Sequence, residues 1–196
     1  MDTFGDILKV ETTGASEETA VAYYDRNLHK GVTASEIMAK EDLDSMKKYK
    51  TIIKNVAERR HVNPALIAGI ISRETEAGFS IKNTKPPGWG DKGNAFGLMQ
   101  IDKRHYDIPK HHGWDSETHL DYATQILVTF IGRIKRKFPS WTAEEQLKEE
   151  EEEQKRRIFF IHLPSIWNQN RYSHSAFHSL IAEGRRCHFD QIKLKE

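Results

Sequence analysis

The chain is nearly without cysteine: Cys187 stands alone among 196 residues. It has no partner for an internal disulfide, and a multi-cysteine zinc site is excluded. No apolar run approaches the ~20 residues that a membrane-spanning helix needs. An excess of charge of either sign is also missing. With 30 basic and 29 acidic residues the net charge is +1, which excludes a strongly basic nucleic-acid binder and an acidic disordered tail protein. Apolar residues make up 37%. Glycine counted in place of tyrosine gives about 40%, below the ~45–50% of an average soluble domain. The expectation is one domain with a modest core and a wet surface. Met1-Asp2-Thr3-Phe4-Gly5-Asp6 places acids where a secretory signal has a basic flank, and no apolar stretch of ~7–15 residues follows. A cytoplasmic location is expected, with export by a non-classical route as the alternative.

Helix signals organise what is there. Residues 17–28 read as a weak helix. Thr33-Ala34-Ser35-Glu36 has the form of a capping box. Behind it Ile37, Leu43, Met46, Tyr49, Ile52, Ile53 and Val56 recur at helical spacing, with one break expected near residues 42–44. Asn63-Pro64 marks the next start, Asn as cap and Pro in the first turn. Leu66, Ile67, Ile70 and Ile71 give that helix its apolar face, and Gly78 is placed to close it. Ser116 caps a long helix that carries Leu120, Ala123, Leu127, Phe130, Ile131, Ile134 and Phe138, and Pro139 stops it. Thr142-Ala143-Glu144-Glu145 is a second capping box. Between these helices, Gly78, Gly88, Gly90, Gly93 and Gly97, with Pro86-Pro87, predict turns and short strands. Residues 96–102 read as one strand, with Phe96, Leu98, Gln100 and Asp102 on one face. From Glu149 five glutamates precede Gln154-Lys155-Arg156-Arg157. Their i,i+4 pairs fit a solvated helical face. An apolar patch at 158–161 and a short helix around 176–181 follow.

Several familiar patterns fail on context. Gly88-Trp89-Gly90-Asp91-Lys92-Gly93 matches G-x-G-x-x-G, but prolines stand where a dinucleotide fold needs a strand. His174 and His178 lack a third metal ligand, and Cys187 beside Arg185-Arg186 is a bystander. No metal and no cofactor are expected.

A set of carboxyls carries more. Glu74 follows Ile67, Ile70 and Ile71 by seven, four and three residues, so it shares their face. Desolvation there raises a carboxyl pKa, and a carboxyl protonated near neutrality can act as a general acid. Asp91, in a glycine-rich turn, and Asp102, at a strand end, have polar neighbours and should stay ionised. A protonated acid facing ionised partners across a cleft is what glycosidic cleavage requires. Gln100 could contact a sugar amide or hydroxyl, and Trp89 could stack on a sugar ring. On spacing alone the alternative stands: an acid at a helix end that is simply solvated.

Three blocks resemble the signature of goose-type lysozymes: Ile70-Ile71-Ser72-Arg73-Glu74-Thr75-Glu76-Ala77-Gly78, Gly88-Trp89-Gly90-Asp91-Lys92-Gly93-Asn94 and Phe96-Gly97-Leu98-Met99-Gln100-Ile101-Asp102-Lys103-Arg104. The resemblance runs from about residue 5 to 148. Lacking cysteine pairs and a signal peptide, the chain looks most like the fish members. The resemblance implies a mainly α, lysozyme-like α+β fold. A helical body would surround a central buried helix, and a small antiparallel sheet would form one cleft wall. It implies a muramidase cutting the β-1,4 bond between N-acetylmuramic acid and N-acetylglucosamine of bacterial cell-wall peptidoglycan in antibacterial defence, acting as a monomer. It matches Glu74 to the catalytic acid, and Asp91 and Asp102 to the pair that positions and activates water. Substrate contacts fall on Trp89, Gln100 and the His105-Tyr106 pair, whose order is swapped relative to the family. Two other readings are a lytic transglycosylase, in which Glu74 works without a water-activating carboxylate, and a non-catalytic peptidoglycan- or chitin-binding decoy. The decoy reading arises because residues 149–196 do not resemble the family's C-terminal cleft segment. The chain accordingly reads as a lysozyme-like domain over 1–148 and a divergent charged tail over 149–196, with weak or absent activity the expectation.

Overall fold

The computed structural model describes residues 29–109 and 112–148. The expected helix at 17–28, the charged and apolar stretches of 149–196, and with them the domain boundary at 148, lie outside or at the edge of the described residues. So do His174, His178 and Cys187.

Helix α1 spans Val32–Met46, a 3-10 turn spans Lys47–Tyr49 and α2 spans Lys50–Arg60. Two expectations shift here. Gly31, at φ +113°, turns the chain into α1 before Thr33, and no side chain caps the end. The break falls at the 3-10 turn rather than at 42–44, because Asp42 is buried and accepts from Ser72 Oγ at 2.5 Å, which keeps its turn helical.

Helix α3, Pro64–Thr75, is the centre of the body. Asn63 caps it as expected, its Oδ1 accepting from Ala65 N at 2.9 Å. Leu66, Ile67, Ala68, Gly69, Ile70, Ile71, Ser72 and Thr75 are buried, on every side of the helix. Met46, Tyr49, Ile53 and Val56 cover it from α1, the 3-10 turn and α2. The close differs from expectation: Glu76, at φ +50°, terminates α3 and donates N–H to Ser72 at 2.8 Å, two residues before Gly78. The cause is Thr75. Its hydroxyl donates to Ile71 O and Leu98 O and accepts from Gly78 N, which holds the chain against the sheet.

Helix α4, Glu117–Lys137, supplies Leu120, Ala123, Leu127 and Ile131 to the same core. Ser116 caps it, accepting from His119 N at 3.2 Å. Ion pairs fasten α4 to α2: Arg59–Glu117 at 2.6 Å, Arg59–Asp121 at 3.1 Å and Arg60–Asp121 at 2.5 Å. Helix α5, Ala143–Lys148, opens on the expected capping box, with Thr142 and Glu145 each accepting the other's backbone N–H.

The sheet has three short antiparallel strands in sequence order: β1 Trp89–Gly90, β2 Ala95–Phe96 and β3 Ile101–Asp102. The single strand expected over 96–102 is therefore two strands joined by a turn. Gly97 at φ +84° and Gln100 at φ +48° reverse the chain, so Phe96, Leu98, Gln100 and Asp102 do not share a face. The turn sits tightly on α4, since a Cβ on Gly97 would lie 1.9 Å from His119 Nε2. Among the described residues no helix is long and apolar enough to cross a membrane.

Candidate active site

Glu74 occupies the last turn of α3. Ile70 and Ile71 on its face are core, and Glu74 itself keeps partial exposure at the helix end. No hydrogen bond from the described residues reaches its carboxyl. Burial pushes the carboxyl up to about 8, against a smaller opposing effect of the Arg73 cation. At neutral pH the group holds its proton.

Asp91 and Asp102 sit in a contrasting environment. Asp91 opens the turn Asp91–Gly93 between β1 and β2, and Asp102 ends β3. The hairpin register pairs Ala95 with Asp102 and with Gly90, which brings both ends to the same edge region. Both side chains are nearly inaccessible, 4% for Asp91 and 3% for Asp102. Asn94 Nδ2 donates to Asp91 Oδ2 at 3.2 Å. Asp102 accepts from Arg104 N at 2.8 Å, from Arg104 Nε at both oxygens (2.9 and 3.0 Å) and from Nη2 at 2.5 Å. Burial alone would raise the Asp102 pKa. The Arg104 side-chain and backbone hydrogen bonds, with the charges of Arg104 and His105, outweigh it and hold the carboxyl below the ordinary carboxylate range.

Backbone conformation sets these positions. Glu76, Ala77, Asp91, Lys92 and Gln100 all take left-handed φ values without being glycine. Such residues are uncommon, and they gather at functional sites more than elsewhere. Here they lie just after Glu74, at Asp91 itself and two residues before Asp102.

A cleft of about 630 Å³ opens beside β1. Its walls are Thr84, Lys85, Pro86, Trp89, Gly90, Asp91, Lys92, Gly93 and Lys103, so the sheet forms one side of it. Trp89 and Asp91 share this cleft. Glu74 and Asp102 are not on its lining. Glu74 connects to the hairpin through its neighbour Thr75, whose hydroxyl donates to Leu98 O at 3.1 Å in the turn between β2 and β3. Trp89 is half-buried, its ring 4.8 Å from Phe96 and 5.5 Å from the Lys103 ammonium.

Gln100, expected as a sugar contact, is turned inward. It is 3% exposed and donates Nε2–H to Gly97 O at 2.8 Å, and its Oε1 lies 2.0 Å from where a Cβ on Gly90 would be. It is an internal brace between β1 and the following turn. The left-handed φ at Gln100 turns it inward, and an alternating sequence does not reveal that. His105 is exposed. Tyr106 is half-buried against the core, its phenol pushed up by burial. Both donate backbone N–H to Asp102 O, at 3.1 and 3.0 Å.

Sequence reasoning gave no role to Arg104, Asn94 or His119. Arg104 was visible as an Asp-x-Arg pattern, in which an Asp side chain accepts the N–H two residues on. His119 is buried, donates to Phe96 O at 3.2 Å and meets the Phe96 ring edge-on at 5.0 Å. Its Nδ1 has no partner among the described residues.

The lysozyme g family model matches residues 4–151. Lysozyme g from Dromaius novaehollandiae is 49% identical over 146 residues, covering 74% of this chain and 67% of the relative. That from Casuarius casuarius is also 49% identical, covering 74% of each chain. Lysozyme g from the carp Cyprinus carpio is 46% identical over 145 residues, again covering 74% of each. A lysozyme-like fold, a match over most of the chain and relatives close to half identical lead to one conclusion: the chain belongs to the lysozyme g family, and so to the lysozyme-type glycoside hydrolases.

Proposed function

We propose that the protein hydrolyses bacterial cell-wall peptidoglycan at the β-1,4 bond between N-acetylmuramic acid and N-acetylglucosamine, in antibacterial defence. One observation carries this reading: a desolvated Glu74, its carboxyl pushed up to about 8, lies on the helix end bonded to a hairpin whose Asp102 is held ionised. Two titratable groups driven apart by their surroundings suit an acid and a base. Glu74 delivers a proton to the departing glycosidic oxygen. Asp91, on the cleft wall, and Asp102 behind it orient a water toward the anomeric carbon from the opposite face. A water held between carboxyls gives inversion, and their separation on substrate should then be about 6.5–9.5 Å. Trp89 offers the sugar a flat apolar face along the cleft.

Mass spectrometry of muropeptides released by the full chain tests the reading. Hydrolysis leaves reducing ends. Anhydro ends would show transglycosylation, and intact glycan would show binding without cleavage; either overturns the proposal.

A further inference from the structure

Arg104 reaches both aspartates. Its Nη2 is 2.5 Å from Asp102 Oδ2 and 3.9 Å from Asp91 Oδ2. Its own side chain is 42% exposed while the two it contacts are 4% and 3% exposed, so the guanidinium sits on the solvent side of two buried acids. Those acids come from different elements, the turn after β1 and the end of β3. The fork geometry is used on Asp102 by Nε and Nη2 together, and a planar guanidinium fixes a carboxylate's orientation as well as its charge. Asp91 and Lys92 are in left-handed conformations, at φ +42° and +53°, so the turn that presents Asp91 needs outside support to keep its shape. Asn94 and Arg104 both contribute to it.

We propose that Arg104 is the positioning residue of this site: one guanidinium fixes Asp91 and Asp102 relative to each other and so sets where the attacking water is held. The inference rests on the hydrolase reading above. Two buried carboxylates side by side disfavour each other's ionisation, and a cation between them offsets that. The charged groups that act on the pair are Arg104, on both aspartates, and His105, on Asp102; Asn94 is a neutral donor to Asp91. Among the cations, Arg104 is hydrogen-bonded to Asp102 and ion-paired to Asp91. Lys103 lies over Trp89 instead.

The test uses the full chain with Arg104→Met, which keeps the stem and removes charge and fork, and Arg104→Lys, which restores charge without the fork. Two readouts are needed: carboxyl-carbon NMR titration of the aspartates, and kinetics of peptidoglycan cleavage against pH. In Arg104→Met the Asp102 midpoint should rise, the acid limb of the rate profile should move to higher pH, and kcat should fall about 100-fold, the scale of a misplaced reacting group, with KM within about twofold. Arg104→Lys should restore the acid limb and leave most of the kcat loss. A residue with only a structural role would lower the melting temperature and leave the acid limb in place. An unmoved Asp102 midpoint with kcat within about twofold of the parent would overturn the proposal. Should Arg104→Met not fold, Arg104→Lys decides: parental kcat overturns the proposal and a large kcat loss at parental melting temperature supports it. If the parent chain cleaves no peptidoglycan, the hydrolase reading fails, while the aspartate titration still decides whether Arg104 holds the pair.

Discussion

The end of α3 and the β1–β3 hairpin both take carboxyls out of water, and they treat them in opposite ways. At the helix end, Glu74 receives no hydrogen bond from the described residues, and desolvation keeps its proton on. In the hairpin, Asp102 is also buried, yet several donors from Arg104 keep it charged. Burial alone therefore does not decide protonation. What decides is whether the surrounding chain supplies donors to the ionised form. The helix end supplies none to Glu74, whereas the hairpin supplies Asp102 with a guanidinium and the Arg104 backbone N–H.

The sharpest way to break the comparison is Glu74→Gln. It should lower peptidoglycan cleavage by about 100–10,000-fold, the range for losing a general acid, in a turbidity or muropeptide assay. Stability should move in the other direction. The folded carboxyl pKa is raised from 4.5 to about 8. The unfolded chain thus releases this proton first as pH rises, and the parent loses stability between about pH 4.5 and 8. Melting curves of Glu74→Gln and the parent should separate progressively over that window, with the variant the more stable at pH 8.

Asp91→Asn and Asp102→Asn test the other side. Each should reduce cleavage less than the double change does, because either carboxylate keeps a partial hold on the water. Since Arg104 couples them, the double-mutant cycle should be non-additive. A covalent glycosyl-enzyme trapped on either aspartate would contradict the inverting mechanism.

Gly97→Ala probes the hairpin's seat. The new Cβ would meet His119 at a φ of +84°, combining overpacking with a left-handed alanine. A loss of about 2–4 kcal/mol is expected in chemical denaturation.

The smallest effect concerns His119 itself. Burial lowers its pKa below 6.5, against the opposing hydrogen bond to Phe96. The unfolded chain gains this proton first, so stability should decline as pH falls below about 6.5. His119→Gln should flatten that slope, as read from melting temperature against pH.

Much of this was legible in the sequence. Asn63-Pro64, Ser116 and Thr142-Glu145 each fix a helix start by chemistry local to a few residues, and the structure places all three as read. The glycine-rich stretch announced turns and short strands. What failed depended on contacts far along the chain. Residues 96–102 alternate like a strand, and only the packing of Gly97 on His119, 22 positions away, makes them a turn. Gly31 outcompeted Thr33 because entry into α1 is set by backbone shape rather than by a side-chain cap. Gln100 looked like a polar group on an open face because a left-handed residue leaves no mark on periodicity. Arg104 lay inside a quoted motif without a role, since its link to Asp91 crosses from one element to another.

The left-handed residues that frame the acids also set the order in which heat takes the protein apart. Glu76, Ala77, Asp91, Lys92 and Gln100 are held in place by surrounding packing, and short strands and turns open at lower free energy than a helical core. The ion pairs that join α2 to α4 involve none of them. On warming, the alignment of Glu74 with the aspartates is lost while the helices still stand, so catalytic inactivation should precede the loss of helical signal.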